Sequence, residues 1–326
     1  MNCRINSSPR GNGCNRLLHK GWSLPEIAIS KQLTSNVAVN DVWTAWLQTI
    51  PERIHETCLA IGVVKADQIP SDWSIVVRTI THSGQVLYIK ASPPGDESQA
   101  AIASLLPNAH PQLVHCVHSD IGNGIHVLAD IPGNHLSWNC NSTDGLKAVG
   151  CLLAELHQLN IAPLMIPLLQ WCIDLLNSPV RVLSEISVNI ERCERLLATS
   201  PAAMWLHGDL HHGNIIEHAE TRQLVAIDPK GIFGDPSFDI CTIVRNHVPE
   251  HLTDEALSDF LERRIRLIGD AAGYPSERAF AWAGAGNALS LVWDLPPSGE
   301  LITEHHGHLY RVLTQLNLLA SRYGKV

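Results

Sequence analysis

The fold is decided by two neighbouring stretches, Trp205-Leu-His-Gly-Asp-Leu-His-His-Gly-Asn-Ile-Ile216 and Leu224-Val-Ala-Ile-Asp-Pro-Lys-Gly231. Asp209 lies on a glycine-containing loop, and Asn214 follows at the start of a short apolar run. A polar turn separates this run from a second one, which ends at Asp228. If the two runs form a hairpin, the three polar side chains converge at one edge of a small sheet.

Two carboxylates and an amide in this arrangement suit phosphoryl transfer. One carboxylate can orient and deprotonate an attacking hydroxyl, while an asparagine oxygen and a second carboxylate can hold Mg²⁺ against nucleotide phosphates. The protein needs little covalent chemistry of its own, because positioning and charge neutralisation carry the acceleration. The three residues therefore predict a nucleotide-dependent transferase site.

A longer motif narrows this prediction to a family. His207-Gly-Asp-Leu-His-His-Gly-Asn214, followed by Ala226-Ile-Asp-Pro-Lys-Gly-Ile-Phe-Gly-Asp-Pro-Ser-Phe-Asp239, resembles the aminoglycoside/hydroxyurea antibiotic resistance kinases of the streptomycin 6-kinase type. These belong to the protein-kinase-like aminoglycoside phosphotransferases. The resemblance implies an α+β, protein-kinase-like two-lobed fold, with a small antiparallel β N-lobe and a larger, mainly helical C-lobe. It also implies transfer of the ATP γ-phosphoryl group, with Mg²⁺, to a hydroxyl of a small polar acceptor, an aminoglycoside such as streptomycin being the leading candidate.

The resemblance assigns roles to individual residues of the motif. Asp209 would be the catalytic base, and His207 would brace the backbone of its loop. Asn214 and Asp228 would coordinate Mg²⁺. Lys230 would meet either phosphate or substrate, and the sequence leaves this choice open.

The nucleotide-binding residues are expected upstream. Lys90 ends a strand, where the resemblance places the lysine that grips the α- and β-phosphates. Glu97 would be its carboxylate partner, although a glutamate that complements a helix N-terminus is an equally good explanation. Backbone groups of Ala129 and Ile131, in the connector between the lobes, would contact adenine. A glycine-rich phosphate loop is absent from residues 68–73, so neighbouring serines and backbone amides would take its place.

Further acids are expected to have other roles. Asp235 and Asp239 should order the turn and helix that follow them. A cationic acceptor would need carboxylates. The candidates in the helical region are Glu262, Asp270, Asp294, Glu300 and Glu304.

The chain pattern predicts three regions: a flexible leader and the start of the first helix (1–40), the nucleotide-binding N-lobe (41–130), and the helical C-lobe with the catalytic loop and acceptor site (131–326). In the N-lobe, Pro51 is expected to separate two helices, the first capped by Asp41, and the runs 74–80 and 85–90 to form a hairpin. In the C-lobe, a 3.6-residue apolar period predicts helices. They begin at a Thr143 cap, extend through much of 166–198, and recur at 253–271, 276–294 and 305–322.

Composition excludes several classes of protein. The net charge is −9 and no basic run is present, which argues against nucleic-acid binding. No apolar run is long enough to span a membrane. The nine cysteines are scattered and odd in number, which favours buried thiols in a reducing compartment. We therefore expect a cytoplasmic protein whose partner is a small-molecule hydroxyl acceptor, which could be cationic, and whose oligomeric state the sequence leaves open.

Three alternatives remain at this stage. The acceptor could be another small amino or sugar alcohol. A metal-dependent phosphoesterase is suggested by fragments around Asp209, by Gly133-Asn-His135 and by His306-Gly-His308, but their order along the chain is wrong for that class. An inactive kinase-like binding module is disfavoured because the predicted catalytic residues are intact.

Overall fold

The computed structural model describes residues 27–38, 40–136, 141–180, 183–296 and 303–324. Residues 1–26, which include most of the region predicted to hold the leader, lie outside these ranges, as do Glu300 and the side chain of Glu304. The first elements are α1 (Lys31–Val37), α2 (Asp41–Ala60), β1 (Val63–Ile69), β2 (Ile75–Thr81), β3 (Val86–Ala91), α3 (Asp96–Leu105), β4 (Cys116–Asp120) and β5 (Ile125–Ala129). We call these elements the N-lobe.

The remaining elements, which we call the C-lobe, are mainly helical. They are β6 (Gly133–His135), α4 (Thr143–Leu156), β7 (Ile166–Pro167), α5 (Leu168–Trp171), α6 (Ile173–Leu176), α7 (Ser184–Ala198), β8 (Met204–Leu206), β9 (Ile215–His218), β10 (Leu224–Ala226), β11 (Ile232–Gly234), α8 (Ile240–Arg245), α9 (Asp254–Ala272), α10 (Ser276–Asp294) and α11 (Thr303–Tyr323). The division of the chain at residues 130 and 131 stays a prediction.

The N-lobe contains a five-stranded antiparallel sheet in the order β1-β2-β3-β5-β4. The predicted hairpin is present as β2 and β3, with Ile80 opposite Val86 next to the turn. Buried and partly buried residues alternate along β2, as expected for a sheet with one face in a core. Strand β1 was not predicted, because residues 63–69 contain polar residues on an edge strand.

Helix α2 differs from its prediction. It is one continuous helix that contains Pro51, and Asn40 rather than Asp41 caps it, accepting hydrogen bonds from the backbone N–H of residues 42 and 43. Proline removes one backbone donor and usually ends or kinks a helix. Here Ile50 and Ile54, on the two sides of Pro51, are both buried in the same N-lobe core, so packing keeps the helix continuous.

Helix α1 lies within residues 1–40, the region predicted to hold the flexible leader and the start of the first helix. Its Leu33 and Val37 are buried in the N-lobe core. The amide of Asn36 donates to the carbonyl of Asp72 at 2.8 Å, which ties α1 to the β1–β2 loop. Residues 31–37 therefore pack as part of the N-lobe.

The three long C-terminal helices are confirmed as α9, α10 and α11, and Thr253 caps α9 as predicted. Ser142 rather than Thr143 caps α4, since its hydroxyl accepts from the N–H of Gly145. The expected helix within 166–198 is shorter than predicted: α5 and α6 have four residues each, and only α7 is long. Gly286 lets α10 approach α8, because a Cβ at this position would lie 2.2 Å from Cys241 Sγ. Among the described residues, no helix combines the length and apolar character that crossing a bilayer requires.

Candidate active site

The hairpin that was expected to gather the polar residues is formed by β9 and β10. Ile215 pairs with Ala226, and the N–H of Ile227 donates to the carbonyl of Asn214 at 2.9 Å. Asn214 and Asp228 thus lie at the same end of the hairpin. Together with Asp209 they line one cavity of 610 Å³, which we call the nucleotide cavity.

The loop that carries Asp209 is held by buried hydrogen bonds. His207 Nε2 donates to the carbonyl of Ile227 at 2.8 Å, and His207 Nδ1 accepts from the N–H of Asp209 at 3.2 Å. Burial lowers the pKa of His207. A neutral ring with one donor and one acceptor matches both contacts. His207 therefore links the Asp209 loop to the strand that leads to Asp228.

Asp239 supports the same loop, which differs from its predicted role. Its carboxylate accepts from the N–H groups of His207 at 2.8 Å and Gly208 at 2.7 Å, and His157 Nε2 contacts it at 3.1 Å. Asp239 thus orders the loop before it in the chain rather than the helix after it. The sequence could not show this contact, because 31 and 32 residues separate the partners.

Asp235 has the predicted turn-ordering role and a further one. It accepts from the N–H of Ser237 at 3.0 Å, from Trp282 Nε1 at 2.6 Å and from Arg278 Nε at 2.9 Å. Its side chain is fully buried, and that of Arg278 is 11% exposed. This ion pair therefore joins the segment after the catalytic hairpin to α10.

Replacing Asp235 with alanine should lower the free energy of unfolding by about 3–5 kcal/mol, because removing one partner leaves a buried charge unpaired. Urea unfolding followed by circular dichroism measures the change. Asp254→Ala is the matched control: it breaks an ion pair with Arg311 in which Asp254 is 69% exposed, so about 1 kcal/mol or less is expected. Equal losses in the two variants would contradict the assignment.

Lys90, on β3, contacts the carboxylate of Asp228 through its Nζ. Burial favours a higher pKa for Asp228, but the charges of Lys90 and Lys230 hold this pKa well below its usual range. The backbone of Asp228 has φ 59°, a left-handed conformation that non-glycine residues seldom adopt. Such conformations cluster at functional sites.

The expected pair between Lys90 and Glu97 is not formed. Glu97 Oε1 lies 3.3 Å from Lys230 Nζ instead. The reason is the close approach of α3 to the end of the hairpin segment: a Cβ on Gly231 would lie 2.1 Å from the carbonyl oxygen of Ala100. This contact brings the first turn of α3 next to Lys230 rather than next to Lys90.

The side-chain oxygen atoms of Asn214 and Asp228 are suitable ligands for Mg²⁺. The amide nitrogen of Asn214 donates to the carbonyl of Asp209 at 2.9 Å, which leaves its oxygen available as a ligand. Mg²⁺ commonly takes one or two protein oxygens and completes its shell with water and phosphate oxygens. One amide oxygen and one carboxylate match that pattern.

Ala129 and Ile131 are less well placed than predicted. The N–H of Ala129 donates to the carbonyl of His115 at 2.9 Å and is therefore not available to bind adenine. Neither residue is among those lining the nucleotide cavity. Their contact with adenine stays a prediction.

Sequence reasoning missed several residues that line the nucleotide cavity. Ser71 and Ser74 line it as expected, but so do Asn36 and Trp43, from α1 and α2. His126, opposite Lys90 on β5, lines it too, and its buried Nδ1 has no hydrogen-bond partner among the described residues. Burial, with the charge of Lys90, lowers the pKa of His126 to about 3. Strand pairing with Lys90 was the signal that could have identified His126.

A second cavity of 440 Å³, which we call the acceptor cavity, adjoins the first at Asp209. Trp171 and Trp293 line it, with ring centroids 5.5 Å apart in an edge-to-face arrangement. Arg245 also lines it, and its Nη1 donates to Thr242 Oγ1 at 3.2 Å. The sequence did not single out these residues.

Three of the predicted acceptor-binding acids lie elsewhere, and the other two fall outside the described side chains. Glu262, Asp270 and Asp294 do not line the acceptor cavity. Glu262 instead pairs with Arg266 on α9 at 2.8 Å. The carboxylates that do line the cavity are Glu97 and Asp209.

The described residues do not form the metal site that the phosphoesterase alternative would need. Within the described parts of the chain, no group of three or more His, Cys, Asp or Glu side chains could hold a metal ion. His306 Nε2 contacts the carbonyl of Asp294 at 3.1 Å, and His308 Nε2 contacts that of Val248 at 3.1 Å. His306 therefore contacts the end of α10 and His308 the loop between α8 and α9, and neither lines the cavities that Asp209 lines.

Comparisons with known proteins agree with this geometry. A family model described as aminoglycoside/hydroxyurea antibiotic resistance kinase matches residues 134–296, half of the chain. The streptomycin 6-kinase of Streptomyces glaucescens is 24% identical over 267 residues, covering 77% of this chain and 85% of that protein.

Solved structures show the same fold. A choline kinase from Streptococcus pneumoniae superposes with a TM-score of 0.58 at 14% identity, covering 82% of this chain and 99% of that one. An amicoumacin kinase solved with AMP-PNP and Ca²⁺ superposes with a TM-score of 0.57 at 13% identity, covering 81% of this chain and 92% of that one. The predicted two-lobed, protein-kinase-like α+β fold is confirmed. The chain belongs to the aminoglycoside/hydroxyurea antibiotic resistance kinase family and is an ATP-dependent phosphotransferase.

Proposed function

We propose that this protein transfers the γ-phosphoryl group of ATP to a hydroxyl of a small antibiotic, with a streptomycin-like aminocyclitol as the leading acceptor. The observation that carries the proposal is the position of Asp209, which lines both the nucleotide cavity and the acceptor cavity. A base at this position can meet a hydroxyl from one side and a phosphoryl group from the other. The streptomycin 6-kinase relative supports the choice of acceptor.

Each polar residue has a role in this proposal. Asp209 accepts the proton of the attacking hydroxyl, and His207 positions its loop. When nucleotide binds, the ammonium of Lys90 exchanges its contact with Asp228 for contacts with the α- and β-phosphates. Asn214 and Asp228 would hold Mg²⁺, which when bound neutralises charge on the phosphates.

A small amino alcohol is the second candidate acceptor. The tryptophans of the acceptor cavity can attract a cationic amine. The carboxylates of Asp209 and Glu97 line the cavity beside the cations Arg245 and Lys230. A volume of 440 Å³ is near the lower end of the usual range for ligand pockets. This size favours a compact acceptor or one that is only partly enclosed.

A screen for ADP release tests the proposal and separates the candidates. Purified protein with Mg·ATP should release ADP when the correct acceptor is added, and mass spectrometry should show the phosphorylated acceptor. The panel contains streptomycin, hydroxyurea and simple amino alcohols. Asp209→Asn protein serves as the inactive control.

Binding of Mg·ATP provides an independent measurement. A ligand at a hundred times its dissociation constant raises the free energy of unfolding by about 2.7 kcal/mol. We therefore expect Mg·ATP to raise the melting temperature. Absence of both this shift and ADP release would refute the proposed function.

A further inference from the structure

Lys230 lies at the boundary between the two cavities. Three residues line both of them, Glu97, Asp209 and Lys230, and Lys230 is the cation of the three. Its Nζ lies 3.3 Å from Glu97 Oε1 and 3.9 Å from Asp209 Oδ2. A group that moves from one cavity to the other past Asp209 must therefore pass close to this ammonium.

The backbone of Lys230 is anchored on both sides. Its N–H donates to the carbonyl of His207 at 2.8 Å, which joins it to the loop that carries Asp209. The next residue, Gly231, has φ 68° and packs against the carbonyl of Ala100, where a Cβ would not fit. The position of Lys230 relative to Asp209 is therefore set by rigid backbone and not by a mobile loop.

The charges at this boundary require a cation. A phosphoryl group in transfer carries negative charge on its three equatorial oxygens. Glu97 and Asp209 would repel it. Of the other cations that line the two cavities, Lys90 contacts Asp228 on the nucleotide side and Arg245 donates to Thr242 on the acceptor side. Lys230 can offset this repulsion at the place where the phosphoryl group crosses.

We propose that Lys230 is a catalytic residue whose ammonium leaves Glu97 and donates to the oxygens of the phosphoryl group during transfer. Glu97 then holds the lysine in place when no phosphoryl group is present. This inference rests on the proposed function.

The reaction balances without any further reactant. The bond between the γ-phosphorus and the bridging oxygen breaks, and its electron pair stays on ADP. A bond forms between the γ-phosphorus and the acceptor oxygen, whose proton moves to Asp209. Lys230 keeps its protons and supplies only charge and hydrogen bonds.

The test compares Lys230→Gln with Lys230→Arg. We expect Lys230→Gln to lower kcat by about 10²–10³-fold, as for the loss of one donor to developing charge, with little change in the KM for ATP. Lys230→Arg should recover part of this loss. Glu97→Gln should lower kcat by about fivefold or less, because the Glu97 side chain is 58% exposed.

A transition-state mimic separates a catalytic role from a structural one. Unchanged protein should bind Mg·ADP with fluoroaluminate more tightly than Mg·ADP alone. Lys230→Gln should lose this difference while binding Mg·ADP normally. Equal kcat in the glutamine and arginine variants, or an unchanged fluoroaluminate effect, would overturn the inference.

Failure of the proposed function would give a different result. Unchanged protein would then show neither ADP release nor tighter binding with fluoroaluminate, whatever residue occupies position 230. If Lys230→Gln does not fold, Lys230→Met is measured in its place. A methionine variant as active as Lys230→Arg would equally overturn the inference.

Discussion

Replacing Asp209 with asparagine will lower the rate of phosphoryl transfer by about 10²–10⁴-fold, the usual contribution of a general base. Affinity for ATP should stay close to that of the unchanged protein, because Lys90 and Asp228 do not depend on this carboxylate for their contact. The loop should also keep its shape. Its hydrogen bonds to His207 and Asn214 use the backbone of residue 209, which asparagine retains.

Two measurements check this expectation. Single-turnover transfer from labelled ATP reports the chemical step, and titration with Mg·ATP reports binding. Asp259→Asn is the control: it removes a carboxylate from the exposed surface of α9, away from both cavities. Turnover of Asp209→Asn protein equal to that of the control would remove Asp209 from the mechanism.

The convergence of Asp209, Asn214 and Asp228 could be predicted because it is a local event. Asp209 lies on the loop just before the β9–β10 hairpin, and Asn214 and Asp228 flank its paired strands. The hydrogen bond from Ile227 to Asn214 follows from the pairing of these strands. Local turn chemistry and strand alternation are readable in a sequence. The same reasoning found the hairpin of Lys90.

The partners of these residues could not be predicted, because they depend on tertiary packing. Lys90 and Asp228 are 138 residues apart. Glu97 pairs with Lys230 only because Gly231 lets α3 approach closely. The sequence gives no measure of such distances. The family resemblance therefore identified the residues but paired Glu97 with Lys90, whereas the structure places it next to Lys230.

Rules that predict helix boundaries and caps from neighbouring residues were wrong at two positions where tertiary packing had the larger effect. Pro51 is a strong signal for a helix boundary, yet buried residues on both sides of it keep α2 in one piece. Asp239 was assigned to the following helix, since a carboxylate near a helix start is usually a cap. Its carboxylate is instead buried next to the catalytic loop, where it accepts hydrogen bonds from the backbone N–H groups of His207 and Gly208.

Replacing Asp228 with asparagine should lower transfer by about 10²–10³-fold, as expected when a group that neutralises developing charge is lost. Asparagine is the suitable substitution because residue 228 has φ 59°. Asparagine and aspartate adopt this left-handed conformation more readily than alanine does. A loss of activity would then reflect the missing charge and not backbone strain.

Asp228 can be identified as a metal ligand by how much Mg²⁺ adds to the stabilisation of the protein by ATP. In the unchanged protein, adding Mg²⁺ to ATP should raise the melting temperature further than ATP alone, and Asp228→Asn should lose most of this increment. Asp67→Asn, which breaks an exposed pair with Lys65, is the control and should keep it. If Asp228 served only to pair with Lys90, Lys90→Met would remove the same increment. Because we assign Lys90 to the phosphates, we expect Lys90→Met to weaken ATP binding while its response to Mg²⁺ persists, and the reverse pattern would contradict both assignments.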